Sequence, residues 1–339
     1  MHRFSYVRPD SPSAAVAAFA AAGAGARYIA GGTSLYDLMK LDIERPLHLI
    51  DVTAIRGLDA IDTGGDRLRF GALVPMSALA ADRTVLRDYP VLAESLSKAA
   101  SQQLRNMATV GGNLFQRTRC LYFRNGAGGI SAGTTYPCNK REPGSGCAAI
   151  GGLDRGQAVL GQSTSCTAVS PGDWPIALVA LDAYVEILGA NGTRSLPVID
   201  LYRLPGTTPH REFTLAPDEI VTAIVVPKTR AGRRSTYHKI RDRESYAFAL
   251  ASAAVALEMD GDTVRQARIA LGGVATRPWR ASAAEAVLAG QRLTDETALA
   301  AGRAALTGAR PGLHNGFKID LAARTVADAL MIAAKRTPA

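Results

Sequence analysis

The chain has 339 residues, of which 47% are hydrophobic and 20% are charged, and its formal net charge is +9. This length is sufficient for two or three domains with hydrophobic cores, and the composition is that of an ordinary globular protein. The charge is consistent with an acidic ligand or partner, or simply with a basic surface. Aromatic residues are sparse and do not alternate with basic ones, which argues against a nucleic-acid surface.

An alanine-rich run near the N-terminus, residues 14–26, predicts the first helix. Ser11 or Ser13 would cap this helix, and Gly23 or Gly25 would end it. The run lacks the charged leader of a signal peptide, and no uninterrupted apolar span reaches membrane length. We therefore expect the chain to carry no export signal of its own.

A first glycine turn follows that helix. The segment Arg27–Leu35 (RYIAGGTSL) predicts a short strand, two glycines and then a helix with Ser34 at its cap. Two glycines before a helix leave backbone N–H groups open to an anion such as a phosphate. The same pattern is also found in plain strand-to-helix turns.

A second glycine turn lies beyond two predicted strands, Leu47–Val52 and Arg67–Val74, and a predicted helix, Pro90–Ala100. The segment Gln103–Leu114 is predicted to be a loop, and its glycine pair follows residues rich in hydrogen-bond donors. Two such turns suggest a ligand with an extended phosphate surface, such as a dinucleotide, or a pair of structural turns.

All four cysteines of the chain lie between Cys120 and Cys166, separated by 17, 8 and 18 residues. The segment also contains a glycine-rich tract, Gly126–Gly133, and few apolar residues at regular spacing. Because it has no means of forming a core of its own, we expect the four thiols to cross-link it.

Three kinds of cross-link remain open. Disulfides require an oxidising compartment, and a zinc site usually contains a short C-x2-4-C pair, which is absent. An iron-sulfur cluster accepts four thiolates at irregular spacing. Nearby basic residues favour an anionic centre and are expected to lower the thiol pKa values. These residues are Arg117, Arg119, Arg124, Lys140 and Arg141.

The rest of the chain alternates strands and helices. Asp173 is predicted to cap a helix at Ile176–Asp182, three strands follow, and the basic linker Pro227–Arg234 marks a domain boundary. The last third predicts strands and then three helices, an α+β module with helices on one side of a sheet. Its elements are Thr236–Arg243, Ala247–Met259, Val264–Val274, Pro278–Leu288, Thr294–Leu306 and Phe317–Ala334.

Three segments together carry a specific combination of residues: Ala30–Leu35 (AGGTSL), Leu104–Leu114 (LRNMATVGGNL) and Ser170–Asp173 (SPGD). With them, the chain resembles over nearly its whole length the flavin-binding subunit of the molybdenum hydroxylases, the xanthine dehydrogenase and carbon monoxide dehydrogenase group. The residues around the cysteines and the segment Lys239–Leu250 look like the periplasmic aldehyde oxidoreductase branch, whose subunit binds an additional 4Fe-4S cluster. A longer glycine-rich stretch, Asn125–Thr135, departs from that branch.

The resemblance implies an α+β fold: a two-subdomain FAD-binding domain of PCMH type at residues 1–227, with a 4Fe-4S insert at about 117–168, and a C-terminal α+β domain of antiparallel sheet and helices at 235–337. By position, it also implies a set of flavin-binding residues and four cluster ligands. The flavin-binding residues are Arg27, Tyr28, Ile29, Ala30, Gly31, Gly32, Thr33, Ser34, Leu35, Thr109, Gly112, Asn113, Asp173 and Lys239, and the cluster ligands are Cys120, Cys138, Cys147 and Cys166.

The function implied is electron transfer within an oxidoreductase. A large molybdenum-cofactor subunit would oxidise an aldehyde to a carboxylic acid, and electrons would pass through a small 2Fe-2S subunit to FAD and an external acceptor. No nucleophile or acid-base pair stands out in this chain, which fits substrate chemistry on a partner. The compartment would be the periplasm, reached with a twin-arginine-bearing partner, or the cytoplasm. The alternatives are a flavin subunit of a hydroxybenzoyl-CoA reductase or other molybdenum hydroxylase, and a zinc-stiffened assembly module without flavin.

Overall fold

The computed structural model describes residues 1–125 and 135–336. The predicted glycine-rich tract at 126–133 and the end of the predicted C-terminal domain, residue 337, lie outside these ranges. Within them, the strands form three sheets of three, five and four strands, in that order along the chain. Each sheet with its helices corresponds to one of the three α+β units that the resemblance implies.

The first unit is a parallel sheet with two helices. Ser11 caps the first helix by accepting the N–H of Ala14, and Gly23 ends it with φ of 65°, so both predicted caps are confirmed. The strands are arranged in the order β1, β3, β2. The elements are β1 (Ser5–Val7), α1 (Pro12–Ala22), β2 (Ala26–Ile29), α2 (Leu35–Lys40) and β3 (His48–Asp51).

The second unit contains an antiparallel five-stranded sheet, and most of its helices come between the second and third of its strands in the chain. Its strand order is β4, β5, β8, β6, β7. The elements are β4 (Ile61–Asp62), β5 (Arg67–Gly71), α3 (Met76–Ala80), α4 (Arg83–Asp88), α5 (Pro90–Ser97), α6 (Gln102–Met107), α7 (Val110–Leu114), α8 (Leu121–Arg124), α9 (Trp174–Ala180), β6 (Tyr184–Gly189), β7 (Gly192–Pro197), α10 (Val198–Leu201) and β8 (Ile220–Pro227).

The third unit is an antiparallel four-stranded sheet with three helices. In β10, residues 251–257 are all buried, because α13 covers one face of the sheet while α5 and α9 of the second unit pack on the other. The strand predicted at Ala247–Met259 is thus confirmed from Ala251 onward, whereas residues 247–250 precede it. The elements are β9 (Ser235–Ile240), β10 (Ala251–Asp260), β11 (Thr263–Gly272), β12 (Trp279–Arg280), α11 (Ser282–Leu288), α12 (Asp295–Ala304) and α13 (Phe317–Ala334).

Three local predictions were wrong. The segment predicted as a loop at 103–114 forms the two helices α6 and α7, because Ser101 and Thr109 cap them by accepting the N–H groups of Leu104 and Gly112. Ser34 and Asp173 precede helices as predicted, but neither side chain makes a capping hydrogen bond.

The cysteine segment, residues 117–168, contacts both the second and the third unit. Val159 and Leu160 belong to the hydrophobic core of the C-terminal sheet, and both of their N–H groups donate to the carbonyl of Val274. Asp154 accepts the backbone N–H groups of Leu313 and His314 at 2.7 Å. Packing and hydrogen bonds to neighbouring parts of the fold therefore hold this segment in place.

Candidate functional site

A cleft of about 1350 Å³ lies where the three units and the cysteine segment meet. This volume exceeds the roughly 300–1,000 Å³ of a typical small-molecule pocket, so the cleft has room for a large ligand. All fourteen residues predicted to bind the flavin line this one cleft: Arg27, Tyr28, Ile29, Ala30, Gly31, Gly32, Thr33, Ser34, Leu35, Thr109, Gly112, Asn113, Asp173 and Lys239. The sequence thus predicted residues that the fold brings together from positions as far apart as 27 and 239.

The first glycine turn packs directly against the second glycine segment. A Cβ atom on Gly31 would lie 1.8 Å from the carbonyl oxygen of Met107, the last residue of α6, so no larger residue fits without a backbone shift. Gly32 has φ of 72°, which glycine adopts without strain. The two predicted turns therefore form adjoining parts of one wall of the cleft.

The second glycine segment is held in place by α7. Thr109 Oγ1 accepts the Gly112 N–H at 3.1 Å, and Gly111 lies so close to Ala72 that a Cβ atom there would approach to 2.7 Å. The Asn113 Nδ2 group lies 3.4 Å from the Met76 sulfur, while its buried Oδ1 atom has no hydrogen-bond partner in the part of the chain that the structure describes. A buried acceptor without a partner is costly unless a ligand supplies the donor.

Asp173 and Lys239 form a buried ion pair at the cleft. Lys239 Nζ lies 2.7 Å from Asp173 Oδ2 and donates to the Lys98 carbonyl at 3.0 Å. The Tyr237 hydroxyl donates to Asp173 Oδ1 at 2.5 Å. Burial raises the pKa of Asp173, although Lys239 and Tyr237 oppose this rise by stabilising its charged form. The pair joins the start of α9 to strand β9 of the C-terminal domain.

Several residues of the lining carry no sequence motif and were not predicted. The segment 210–217 borders the cleft and lies between α10 and β8 of the second unit. Tyr246 and Phe248 border the cleft from the C-terminal domain. For Tyr246 and Phe248, the only sequence signal was the resemblance of the segment Lys239–Leu250 to the family. Arg117 and Arg119 also line the cleft, although the sequence assigned them to the cysteines.

Arg117 lies in a buried charge network between the cleft and the cysteines. It forms ion pairs with Glu44 and with Glu212, the latter at 2.6 Å, and Lys140 contacts the other Glu212 oxygen at 3.0 Å. Burial alone would raise the pKa of Glu212, but Arg117 and Lys140 outweigh it and hold this pKa below its usual value.

The described lining of the cleft is positively charged overall. Seven basic and five acidic side chains line it, an excess that suits a ligand with two negative charges. The basic residues are Arg27, Arg117, Arg119, Arg203, Arg211, Lys239 and Arg243; the acidic residues are Glu44, Asp173, Glu212, Glu219 and Asp242.

The four cysteines are free thiols beside this cleft, so the disulfide alternative is not realised in this structure. Cys138 and Cys147 pair as an isolated β-bridge. Cys138 and Cys120 pack in one small hydrophobic cluster with Leu38 and Phe123, and the Asn139 amide donates to the carbonyl of Ser165, next to Cys166, at 3.0 Å. Across residues 1–125 and 135–336, no three His, Cys, Asp or Glu side chains are arranged to hold a single metal ion.

The expected lowering of the thiol pKa values was wrong for two cysteines. Burial raises the pKa of Cys120, and it raises the pKa of Cys166 to about 11 despite the opposing effect of Lys140. The predicted arginines are occupied elsewhere, because Arg119 and Arg124 pair with Asp37 and Arg141 donates to backbone carbonyls.

Comparison with known proteins identifies the family. The profile described as "FAD binding domain in molybdopterin dehydrogenase" matches residues 2–229, and that described as "CO dehydrogenase flavoprotein C-terminal domain" matches residues 235–333. The chain belongs to the FAD-binding subunits of the molybdenum hydroxylase family. This flavin subunit is part of an oxidoreductase whose substrate chemistry takes place on a partner.

Individual relatives are similar in sequence to this chain over most of its length. The aldehyde oxidoreductase FAD-binding subunit PaoB of Escherichia coli is 48% identical over 97% of this chain and 98% of its own length. The glyceraldehyde dehydrogenase medium chain of Sulfolobus acidocaldarius is 26% identical over 86% of this chain and 83% of its own.

The carbon monoxide dehydrogenase structure from Hydrogenophaga pseudoflava superposes with a TM-score of 0.77 at 29% identity, covering 99% of both chains. These matches confirm the predicted α+β fold of the flavin subunit. No helix in the described ranges combines the length and apolar character needed to cross a membrane.

The residues present fit FAD. The cleft is lined by a glycine turn packed too tightly on Met107 to admit a Cβ atom at residue 31, by a buried acceptor on Asn113 without a partner among the described residues, and by an excess of basic side chains. A dinucleotide offers hydrogen-bond donors on its base and ribose, and two negative charges on its pyrophosphate.

Proposed function

We propose that this flavin subunit is the FAD- and 4Fe-4S-binding electron-transfer subunit of a molybdenum-containing aldehyde oxidoreductase. Electrons would pass from iron-sulfur centres of the partner subunits through FAD to an external acceptor. The observation that carries the proposal is that one cleft collects all fourteen predicted flavin residues, while the free thiols of Cys120 and Cys138 lie in one hydrophobic cluster with Leu38 of its lining. The substrate class rests on the 48% identity to an aldehyde oxidoreductase subunit.

The chain's own contribution to the flavin is binding and orientation. The backbone from Tyr28 to Leu35 and the turn at Thr109–Asn113 would hold the nucleotide. The Asp173–Lys239 pair would stabilise the side of the cleft where α9 begins and β9 ends. FAD, when bound, would supply the redox chemistry, because a flavin transfers electrons either in pairs or one at a time. Nothing in the described lining acts as a nucleophile, so these residues serve the cofactor rather than a substrate.

The spacing of the cysteines favours a cluster over a single zinc ion. A four-cysteine zinc site usually contains a short C-x2-4-C pair, which this chain lacks. A 4Fe-4S cluster is larger and takes thiolates that are farther apart. Cys138 pairs with Cys147 and packs in one cluster with Cys120, and the Gln157 amide donates to Cys120 Sγ at 3.3 Å, a hydrogen bond of the kind that adjusts cluster potentials.

The partners would be a large molybdenum-cofactor subunit and a small 2Fe-2S subunit. Several relatives are named as medium chains or medium subunits, which supports an assembly of this kind. We further propose that the complex works in the periplasm after export with a twin-arginine-bearing partner, or in the cytoplasm. Fractionation of cells expressing all subunits distinguishes these compartments.

A hydroxybenzoyl-CoA reductase or another hydroxylase remains the alternative within the family. Steady-state assays of the assembled complex decide between them: oxidation of aromatic or aliphatic aldehydes supports the proposal, and turnover of only a CoA thioester or a heterocycle contradicts it. The non-enzymatic alternative is an assembly module that binds zinc and no flavin, and it predicts a colourless protein containing zinc.

The decisive experiment is metal and flavin analysis of the complex isolated without oxygen, with EPR after dithionite reduction. The wild-type complex is expected to show one more iron-sulfur signal than the 2Fe-2S centres produce. Cys138→Ser should abolish this signal and reduce the iron content, with FAD retained. Thr164→Ala, at an exposed position of the same segment, serves as the control and should leave iron unchanged. Equal iron in the wild type and Cys138→Ser would refute the ligand assignment.

A further inference from the structure

Arg119 connects the cysteine segment to the flavin cleft. Its side chain lines the cleft, although the residue immediately precedes Cys120. Its guanidinium group lies 4.9 Å from the centre of the Phe248 ring, which borders the cleft from the C-terminal domain. It also pairs with Asp37 of α2 at 3.0 Å, and α2 begins directly after the first glycine turn. Arg119 therefore stands at the junction of three parts of the fold, beside the glycine cradle.

The ion pair with Asp37 does not balance the charge at this junction. Arg124 binds the same carboxylate oxygen, Asp37 Oδ2, at 2.7 Å. Two guanidinium groups thus share one carboxylate, which leaves one positive charge in excess among these three side chains. Only one of the two arginines, Arg119, borders the cleft.

The guanidinium group of Arg119 also has an unused donor. Its Nη1 atom is bound to Asp37, whereas its Nε atom is buried and has no hydrogen-bond partner among residues 1–125 and 135–336. Leaving a charged donor buried and unsatisfied is costly, so an acceptor is expected when the site is complete. An anionic oxygen satisfies both the unused donor and the excess charge, and a phosphate matches the planar fork of arginine.

We propose that Arg119 binds a phosphate oxygen of the flavin dinucleotide, so that the cysteine segment itself supplies a cofactor-binding residue. The two glycine turns contribute backbone donors, and Arg119 adds a charged side chain from a third direction. The inference rests on FAD being bound in this cleft. It does not depend on which metal centre, if any, the cysteines hold.

The test is a titration of FAD into the assembled complex after its flavin has been removed, followed by flavin fluorescence. Arg119→Gln is expected to raise the Kd for FAD about ten-fold or more, because it removes a charge-assisted hydrogen bond to phosphate. The variant should also weaken the dependence of the Kd on salt, since one attractive charge has been lost. Arg119→Lys keeps the charge without the planar fork and should give an intermediate Kd.

Arg124→Gln is the matched control, because Arg124 binds the same Asp37 oxygen without bordering the cleft. Its Kd for FAD should stay within about two-fold of the wild type. An equal loss of affinity in both variants would mean that Arg119 only positions Asp37, and wild-type affinity in Arg119→Gln would overturn the proposal outright. If Arg119→Gln lowers the thermal midpoint of the flavin-free complex, the salt dependence of its Kd decides: a salt dependence equal to that of the wild type also overturns the proposal. Failure of the wild type to bind FAD would instead contradict the proposed function.

Discussion

At the scale of single residues, the sequence identified Asp173 and Lys239 as site residues but did not predict that they form a buried ion pair. Both residues were named as flavin contacts from the family resemblance, but the local pattern around Asp173 predicted a helix cap. The structure pairs it instead with a lysine 66 positions later in the chain, at 2.7 Å. Local sequence contains the propensity to cap, whereas an ion pair across domains depends on the packing of α9 against the C-terminal sheet and cannot be read from spacing.

Removing the lysine of this pair should strongly destabilise the protein. Lys239→Met leaves the buried Asp173 carboxylate without its counter-charge, and we expect the free energy of unfolding to fall by about 3 to 5 kcal/mol. Urea unfolding of the full chain measures this change. The double variant Asp173→Asn with Lys239→Met should recover part of the loss, because no buried charge then remains.

The control for this prediction is an exposed pair on α13. Arg324 and Asp320 lie 2.8 Å apart with about 70% of each side chain exposed (70% and 72%). Arg324→Met should change the free energy of unfolding by no more than about 0.5 kcal/mol. A loss for Lys239→Met as small as this would show that the buried pair contributes nothing to stability.

At the scale of secondary-structure elements, the sequence predicted the strands and most helices because their periodicity and turn residues are local. It missed the helical state of 103–114 because a glycine pair and many polar residues suggested a loop. Thr109 was named as a flavin contact, yet its role as the cap of α7 emerged only from the structure. Here a single capping hydrogen bond and the close packing of Gly111 on Ala72 override a weak local preference.

The first glycine turn provides a prediction about the contact between elements. Gly31→Ala would place a Cβ atom 1.8 Å from the Met107 carbonyl oxygen, so the turn and the end of α6 must move apart. We expect the variant complex to lose most of its FAD, as measured by its absorbance near 450 nm and by heat-released flavin, because the two parts of the cradle are displaced together.

Gly156→Ala is the matched control for Gly31→Ala. A Cβ atom at Gly156 meets nothing within 4 Å, and its φ does not lie in the left-handed region. Its FAD content should equal that of the wild type. Full FAD occupancy in Gly31→Ala would show that the turn can adjust without harm to the cofactor site.

At the scale of the whole molecule, the sequence predicted three α+β units and one cysteine segment but not how that segment is held. The structure shows it attached to the C-terminal domain by backbone pairing at Val159 and Leu160 and by a buried lysine, Lys318. Lys318 Nζ donates to the carbonyls of Gly273, at 2.8 Å, and Gly156, at 3.3 Å. No motif marks such a contact, because it joins a helix near the C-terminus to a segment about 160 residues earlier (positions 318 and 156).

The buried lysine has a consequence for pH dependence. Burial lowers the pKa of Lys318 to about 8, and Arg155 adds to this effect, whereas a lysine in the unfolded chain has a pKa of about 10.4. Between these two values the unfolded chain binds more protons than the folded protein. The contribution of Lys318 to the free energy of unfolding therefore rises as the pH rises from about 8 to about 10.4.

Replacing Lys318 with methionine should remove this dependence. The difference in the free energy of unfolding, wild type minus Lys318→Met, should increase by about 2 kcal/mol between about pH 7.5 and 9.5, as measured by urea unfolding at each pH. The thiols and tyrosines that also titrate in this window are present in both proteins, so their contributions cancel in the difference. Lys335→Met, on the exposed end of the same helix, should show no such increase. A difference for Lys318→Met that stays constant with pH would mean that this lysine remains charged at its ordinary pKa, and that its contacts with Gly273 and Gly156 stabilise the ammonium group enough to offset its burial.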